Sequence, residues 1–307
     1  MEIFVAGASG VLGRRLVRLL ARQGHGVRGL ARSAAAEEKV RSAGATPVVA
    51  DLFDARSLER AAAGCSCIVH AATSIPQTRR MALKDFAAND RIRRQGTRAL
   101  LDGAKAVGAR LVFQSIVWAA RPRDGAAFDE SAPPGDDPVA QSALDGERMV
   151  SEVGSTTLRC GWFYGADSAS TRALARALRR RGLPLFGGGA AQLGHLHLDD
   201  AAAAFALAAV NPRPGVWHVV DDEPPSSADF FGHLAKRIGA PAPMSVPKWL
   251  ARVVAGREAV RFFCTPMITN ASKFKAETGW SPRFSSYRQG LDQVVESWRA
   301  SRQLLGA

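Results

Sequence analysis

The chain has 307 residues, of which 47% are hydrophobic and 22% charged, so it can bury a large core as one domain or two smaller lobes. Its first residues resemble a strand, and no run of about 18 apolar residues follows, which argues against a signal peptide and a membrane span. We therefore expect a cytoplasmic protein, either a monomer or a homodimer.

The net charge of +13 is high enough to suggest nucleic acid as a partner. The tryptophans and tyrosines, however, do not alternate with the basic clusters as stacking platforms would. We interpret the charge as a solvated surface that also attracts an anionic small molecule, and we expect neither nucleic acid nor a membrane as partner. Cys65, Cys67, Cys160 and Cys264 lack paired spacing, so reduced thiols are expected and no metal site.

The strongest pattern lies at the beginning of the chain. An apolar run over residues 3–6 stops at Gly7, glycines recur at Gly10 and Gly13, and leucines then follow at helical spacing. A strand that turns through such glycines into a helix leaves free backbone N–H groups for a pyrophosphate. The sequence therefore predicts a dinucleotide site here, with Gly7, Ser9, Gly10, Val11, Leu12 and Gly13 as its residues.

The end of the second predicted strand, at residues 27–31, indicates which dinucleotide is bound. A carboxylate near this position binds the free ribose 2′-hydroxyl of NAD, whereas an arginine suits the 2′-phosphate of NADP. The chain has Arg32 there and no carboxylate. We therefore predict NADP as the cofactor, bound by Arg32 with help from Arg14.

Further strands are predicted at 46–50, 67–70, 110–115, 156–159 and 216–220, separated by helical stretches that include a long one at 85–107. This alternation predicts an α/β Rossmann fold, a doubly wound parallel sheet of about seven strands. Ligands of such sheets lie at the carboxyl ends of the strands. We accordingly add Asp51, Leu52, Ala71, Ala72 and Thr73 to the predicted cofactor-binding residues, although Asp51 also fits a helix cap.

The predicted domain organisation has two parts. Residues 1–165, completed by about 190–221, form the dinucleotide-binding core. Residues 166–189 and 222–307 form a smaller, mainly helical substrate-binding lobe. Helix 171–181 carries five arginines and no acidic residue. This basic face is either a solvated surface or part of a site for an anionic substrate.

Together these motifs resemble those of the extended or atypical short-chain dehydrogenases/reductases, a superfamily of nucleotide-sugar epimerases, dehydratases and metabolite reductases. The motifs are the glycine cradle, Asp51-Leu52, His70-x-Ala72, Gly96-Thr97, Ser115, Leu158-Arg159, Tyr164-Gly165, His197-x-Asp199-Asp200 and Gly279-Trp280-x-Pro282. The resemblance covers nearly the whole chain. It implies the Rossmann fold and a nicotinamide dinucleotide, but it identifies no substrate.

The resemblance also implies a catalytic set that this chain mostly lacks. Family members use a Tyr-x-x-x-Lys pair, a serine on the fifth strand and an asparagine on the preceding helix. If Glu147 matches the family glutamate, the tyrosine and lysine positions hold Val139 and Ala143, and the asparagine position holds Arg93. Only Ser115 is retained, and Tyr164 is the remaining candidate proton donor.

Three functions are compatible with this pattern. The favoured one is an atypical NADP-dependent oxidoreductase acting on a small metabolite, either neutral or anionic, with Ser115 and Tyr164 as catalytic residues. The second is a redox-neutral cyclase, isomerase or lyase that uses these residues with His195 or Asp129. The third is a non-enzymatic regulator that responds to NADP. Because Val139 and Ala143 cannot move protons, we expect any hydride acceptor to need little acid assistance.

Overall fold

The computed structural model of the chain describes residues 1–76 and 82–301. Within them, seven strands form one parallel sheet, which confirms the predicted α/β Rossmann fold class. Two additional two-stranded sheets lie outside it. The strands are β1 (Glu2–Ala6), β2 (Gly26–Ala31), β3 (Thr46–Val49), β4 (Cys67–His70), β5 (Arg110–Ile116), β6 (Thr156–Cys160), β7 (Trp162–Tyr164), β8 (Leu185–Phe186), β9 (His195–His197), β10 (Gly215–Val219) and β11 (Ser245–Val246).

Helices connect and cover these strands. They are α1 (Val11–Arg22), α2 (Ala34–Arg41), α3 (Ala55–Ala62), α4 (Ala87–Arg91), α5 (Thr97–Val107), α6 (Gln141–Glu152), α7 (Ala169–Arg179), α8 (Leu198–Val210), α9 (Ser227–Arg237), α10 (Lys248–Ala255), α11 (Arg257–Cys264), α12 (Ser272–Thr278) and α13 (Tyr287–Ala300). Short 3-10 turns occur at Leu83–Phe86, Val117–Ala120, Pro138–Ala140 and Gly187–Gly189.

The main sheet has the strand order β10-β6-β5-β4-β1-β2-β3. The order reverses between β1 and β4, so the carboxyl ends of these strands open onto the crevice where ligands of doubly wound sheets bind. Apolar side chains fill both faces of the sheet, with α1 and α8 packed on one face and α3 and α5 on the other. This packing holds the glycine cradle and the end of β4 side by side.

A separate hydrophobic core joins α7, α9 and α13. Leu291, Val294, Val295 and Trp298 lie on one face of α13, and all four are buried in this core. The predicted lobe boundaries stay a prediction, and its residues 302–307 lie outside the described part of the chain. No helix between residues 1 and 76 or 82 and 301 is both long and apolar enough to cross a bilayer.

The predicted helical stretch at 85–107 is helical throughout, but it is not a regular α-helix. The 3-10 turn and α4 lead into a π-helical turn, Ile92–Gly96, before α5 begins at Thr97. A π-turn adds one residue to a helical turn and is frequent at functional sites. It lies directly beside α6, where the backbone oxygen of Arg93 is 3.3 Å from where a Cβ of Gly146 would lie.

Candidate active site

The glycine cradle has the close packing that its sequence suggested. Gly7 has φ +94°, and a Cβ there would lie 2.6 Å from the backbone carbon of Ala71. A Cβ at Gly13 would overlap the backbone oxygen of Gly7, so α1 packs against the turn only because Gly13 has no side chain. Gly10 caps α1 without a side-chain hydrogen bond, which leaves the first N–H groups of the helix for a ligand.

The remaining predicted cradle residues surround this helix start. Ser9 and Val11 are half-buried, whereas Leu12 is buried in the core beneath α1. Side chains at the glycine positions would fill this cradle, which lies at a helix N-terminus and at the point where the strand order reverses. Such a cradle fits the pyrophosphate of a nicotinamide dinucleotide.

The residues predicted to bind the adenosine half lie at two strand ends. Arg32 follows β2 directly and is exposed. Asp51 is also exposed, and its Oδ1 accepts a hydrogen bond from the Phe53 N–H at 3.0 Å rather than capping α3. Leu52 is buried against Gly96. Arg14, the expected helper, donates to the Ser9 oxygen at 2.8 Å and to Asp167 at 2.9 Å, so its guanidinium is already engaged.

Ala71, Ala72 and Thr73 follow β4 at the same edge. The Ala71 N–H donates to the Ala6 oxygen at 2.9 Å, which keeps the two strand ends together. Thr73 is exposed, and the next residue is fixed by a 3.0 Å hydrogen bond from the Ser74 N–H to the buried Asn89 Oδ1. The segment therefore runs past the cradle on one side and the helix that leads to the π-turn on the other.

Ser115 lies inside the protein instead of at an open strand end. Its side chain is fully buried, and its hydroxyl donates to Glu147 Oε1 at 2.5 Å. Glu147 also accepts two hydrogen bonds from Arg159, to Oε1 at 2.9 Å and to Oε2 at 2.7 Å. The sequence contained both charged residues in family motifs, but it did not show that they pair beneath Ser115.

Tyr164 is likewise enclosed. Its hydroxyl donates to Asp221 Oδ2 at 2.8 Å, and a Cβ at Gly290 of α13 would overlap that hydroxyl. Burial, then the Asp221 charge, raises the pKa of Tyr164 well above its ordinary value. Burial also raises the pKa of Asp221 to about 7. Tyr164 thus belongs to the core that joins α7, α9 and α13.

The positions of the family's tyrosine and lysine hold apolar side chains in the structure too. Val139 lies in the 3-10 turn before α6 and is half-buried, and Ala143 is buried on α6 against Ile116. Arg93, at the asparagine position, is buried in the π-turn with 3% of its surface exposed. The π-turn that carries Arg93 packs on α6, the helix that carries Ala143.

The acid–base candidates of the redox-neutral hypothesis occupy different surroundings. His195 is buried, and its Nδ1 lies 2.8 Å from the Leu193 oxygen. Burial lowers the pKa of His195 to about 4, so the imidazole is neutral near pH 7. Asp129 is exposed and accepts hydrogen bonds from the N–H and hydroxyl of Ser131.

Half-buried aromatic rings form a wall beside the ends of β5 and β6. Trp118 follows β5, and its ring meets that of Phe262 on α11 edge-on at 5.3 Å. Trp162 follows β6 and contacts the rings of Phe262 at 5.8 Å and Phe263 at 5.5 Å. Partly exposed aromatic side chains from three elements form a surface that suits a flat apolar ligand.

Known proteins resemble this chain in both sequence and fold. The model of the NAD dependent epimerase/dehydratase family matches residues 3–219. The chain belongs to this family. A Streptomyces protein described as a 3-diazoavenalumate denitrifying reductase is 36% identical, over 95% of this chain and 99% of its own.

Two solved structures of the same type share the fold. The dTDP-glucose 4,6-dehydratase DesIV of Streptomyces venezuelae, with NAD bound, has a TM-score of 0.80 and 24% identity, covering 99% of this chain and 98% of its own. The human epimerase family protein SDR39U1, with NADPH, has a TM-score of 0.77 and 20% identity, covering 96% and 99%. Membership of a family described as NAD dependent, with a reductase among the relatives, supports an oxidoreductase-type function and a nicotinamide dinucleotide, and the two solved structures show that the fold is shared.

Proposed function

We propose that this protein is an NADPH-dependent reductase that replaces the diazo group of a small, anionic aromatic compound by hydrogen. Its similarity to the Streptomyces reductase named for a diazo compound supports this substrate class. The exposed Arg32 at the end of β2 supports NADPH as the hydride source, because a guanidinium suits the 2′-phosphate.

The observation that carries the proposal is the lack of an evident proton donor among the predicted catalytic positions. Val139 and Ala143 are apolar, and the hydroxyls of Ser115 and Tyr164 are bonded to buried carboxylates. Reduction of a ketone needs a proton on the new alkoxide, which the family's tyrosine and lysine provide. A site without that pair favours an acceptor that needs no acid.

A diazonium group is such an acceptor. Hydride transfer to an aryl diazonium ion forms one C–H bond and breaks the C–N bond, whose electron pair leaves with neutral N2. The cationic arene and the anionic hydride together give a neutral arene, so no proton is consumed. When a ring hydroxyl is ionised, the product is a phenolate, which takes its proton from solvent after the transfer.

The chain's own residues supply the rest of the site in this proposal. The wall formed by Trp118, Trp162, Phe262 and Phe263 orients the aromatic ring and excludes water from it. NADPH, held by the cradle and Arg32, supplies the hydride. The excess of basic residues attracts an anionic substrate over longer distances.

A direct assay tests this function. Purified protein is mixed with NADPH and diazotised 3-amino-4-hydroxybenzoate, and NADPH oxidation, N2 and 4-hydroxybenzoate are measured. We expect equal amounts of the three, and deuterium at the ring carbon that carried nitrogen when NADPH is deuterated at C4. A protein-free reaction and the variant Gly13→Val, whose side chain would overlap Gly7, give the uncatalysed background.

The competing functions give different results in the same assay. Faster reduction of 4-hydroxyacetophenone than of the diazo compound would contradict the proposed acceptor. Conversion of a substrate without NADPH would favour redox-neutral chemistry, and NADPH binding without turnover of any compound would favour a regulator. Either result would refute the reductase proposal.

A further inference from the structure

Arg93 has an environment that is unusual for a charged side chain. Only 3% of its surface is exposed, and its Nε has no hydrogen-bond partner. No carboxylate in the described part of the chain forms an ion pair with its guanidinium. Buried arginines are nearly always paired, because an isolated charge away from water is strongly unfavourable. The fold therefore maintains a cation in the interior without providing its anion.

The charged and titratable neighbours of Arg93 do not supply that anion. Asp90 and Glu147 attract the guanidinium electrostatically, but burial outweighs them and lowers the pKa of Arg93 to about 10. Both carboxylate oxygens of Glu147 are occupied by Arg159, and Asp90 approaches Arg94. His70 is fully buried, and its pKa is lowered to about 4 by burial and by the charge of Arg93, so it is neutral near pH 7.

The position of Arg93 connects it with the reaction. It lies in the π-turn, one helical turn after Asn89, which holds the segment following β4 by its bond to Ser74. On its other side the backbone of Arg93 lies close to Gly146 of α6. One turn before Gly146 is Ser142, which is buried and whose hydroxyl has no hydrogen-bond partner. Ala143, the family's lysine position, is next to Ser142. Arg93 is thus a buried cation on the turn that packs against α6, the helix that carries the family's lysine position.

We propose that the Arg93 guanidinium is an oxyanion-binding group, which binds a negatively charged ring oxygen of the substrate. This inference rests on the proposed function and extends it from the diazo group to the oxygen of the same ring. A guanidinium stabilises the charge that develops on that oxygen during hydride transfer without giving up a proton. Arg93 therefore replaces the positive charge of the family's lysine but not the proton donation by the family's tyrosine.

The test uses 4-nitrophenol as the probe, because its phenolate is coloured and it cannot be reduced at a diazo group. The pKa of the probe is measured by absorbance when it is bound to the NADP-saturated protein. A facing guanidinium favours the phenolate, and we expect its pKa to fall by about one unit or more, equivalent to roughly tenfold tighter binding of the anion than of the phenol. Arg93→Gln should abolish this shift, and Arg93→Lys should restore part of it.

Arg98→Gln is the matched control, since Arg98 is an exposed arginine just beyond the π-turn, and it should leave the shift unchanged. Arg93→Gln should also raise the melting temperature of the ligand-free protein, because it removes an unpaired buried charge. If the Gln variant does not fold, the reduced shift expected in Arg93→Lys decides instead. Binding of the probe as neutral phenol, or no binding at millimolar concentration, would contradict the proposal.

The outcomes separate this inference from the proposed function. A probe shift that depends on Arg93, together with no reduction of diazo compounds, would retain the oxyanion site and refute the diazo substrate. Diazo reduction with an unchanged probe shift in Arg93→Gln would retain the function and refute the role of Arg93. A loss of NADP affinity alone in that variant would assign Arg93 to the cofactor ribose and overturn the proposal as well.

Discussion

Replacing Glu147 with glutamine tests whether the network under Ser115 holds the core of the sheet together. The substitution keeps the shape of the side chain but removes the charge that faces Arg159, and both side chains are almost inaccessible, with 6% and 7% of their surface exposed. An arginine left without its carboxylate at this depth typically costs about 3–5 kcal/mol of folding free energy. We expect a loss of that size.

Urea denaturation followed by fluorescence measures this loss. Glu152→Gln, at the exposed end of the same helix, should change the unfolding free energy by less than about 0.5 kcal/mol. The double variant Glu147→Gln with Arg159→Gln should lose less than the two single losses added together, since each single change leaves one buried partner unpaired. A loss below about 1 kcal/mol in Glu147→Gln would refute the reasoning.

Three other predictions concern the candidate site. Ser115→Ala and Tyr164→Phe should each lower the free energy of unfolding by about 1.5–3 kcal/mol, because a buried carboxylate loses its hydrogen-bond donor. The kcat for diazo reduction should change less than about threefold in each variant. A larger loss of kcat would indicate that the residue takes part in catalysis. Arg32→Ala should weaken NADP binding by about 1–3 kcal/mol with little effect on NAD, as calorimetry can show, whereas Lys39→Ala serves as the exposed control and should change neither. Burial raises the pKa of Asp221 from 3.8 to about 7, so the folded protein binds one more proton than the unfolded chain between about pH 4 and 7, and Asp221 lowers stability as the pH rises through that window. In urea titrations, the unfolding free energy of Asp221→Asn should therefore increase relative to that of the wild type as the pH rises from 4 to 7. Unfolding free energies that depend on pH in the same way in both proteins would contradict the raised pKa of Asp221.

Much of the fold was predictable because its signals are local. Apolar runs separated by helical stretches indicated the parallel sheet, and the spacing of Gly7, Gly10 and Gly13 indicated the cradle. The π-turn was not predicted, because one additional residue in a helical turn hardly disturbs an apolar pattern that is already irregular. Nothing in the composition of residues 92–96 distinguishes a π-turn from an α-helix.

The candidate catalytic residues were harder to judge from sequence, because their availability depends on side-chain direction and tertiary partners. Ser115 does lie near the carboxyl end of β5, as expected, but the alternation of a strand turns it toward α6 and Glu147. The motif Leu158-Arg159 contained a signal for this pairing, since an arginine inside a buried strand requires a buried carboxylate nearby. The sequence does not show that this carboxylate is Glu147, because the pairing depends on how α6 packs against the sheet.

The chemistry of the proposed site follows from what replaced the family's pair. Loss of the tyrosine and lysine removes a proton donor and a positive charge together, and in our proposal Arg93 replaces only the charge. A cation without an acid stabilises an anionic product but cannot protonate it. Such a site distinguishes acceptors by whether their reduction ends in a stabilised anion or a neutral leaving group. Reduction of a phenolate-bearing diazo compound gives both a stabilised anion and a neutral leaving group. Reduction of a simple ketone gives a strongly basic alkoxide and no leaving group.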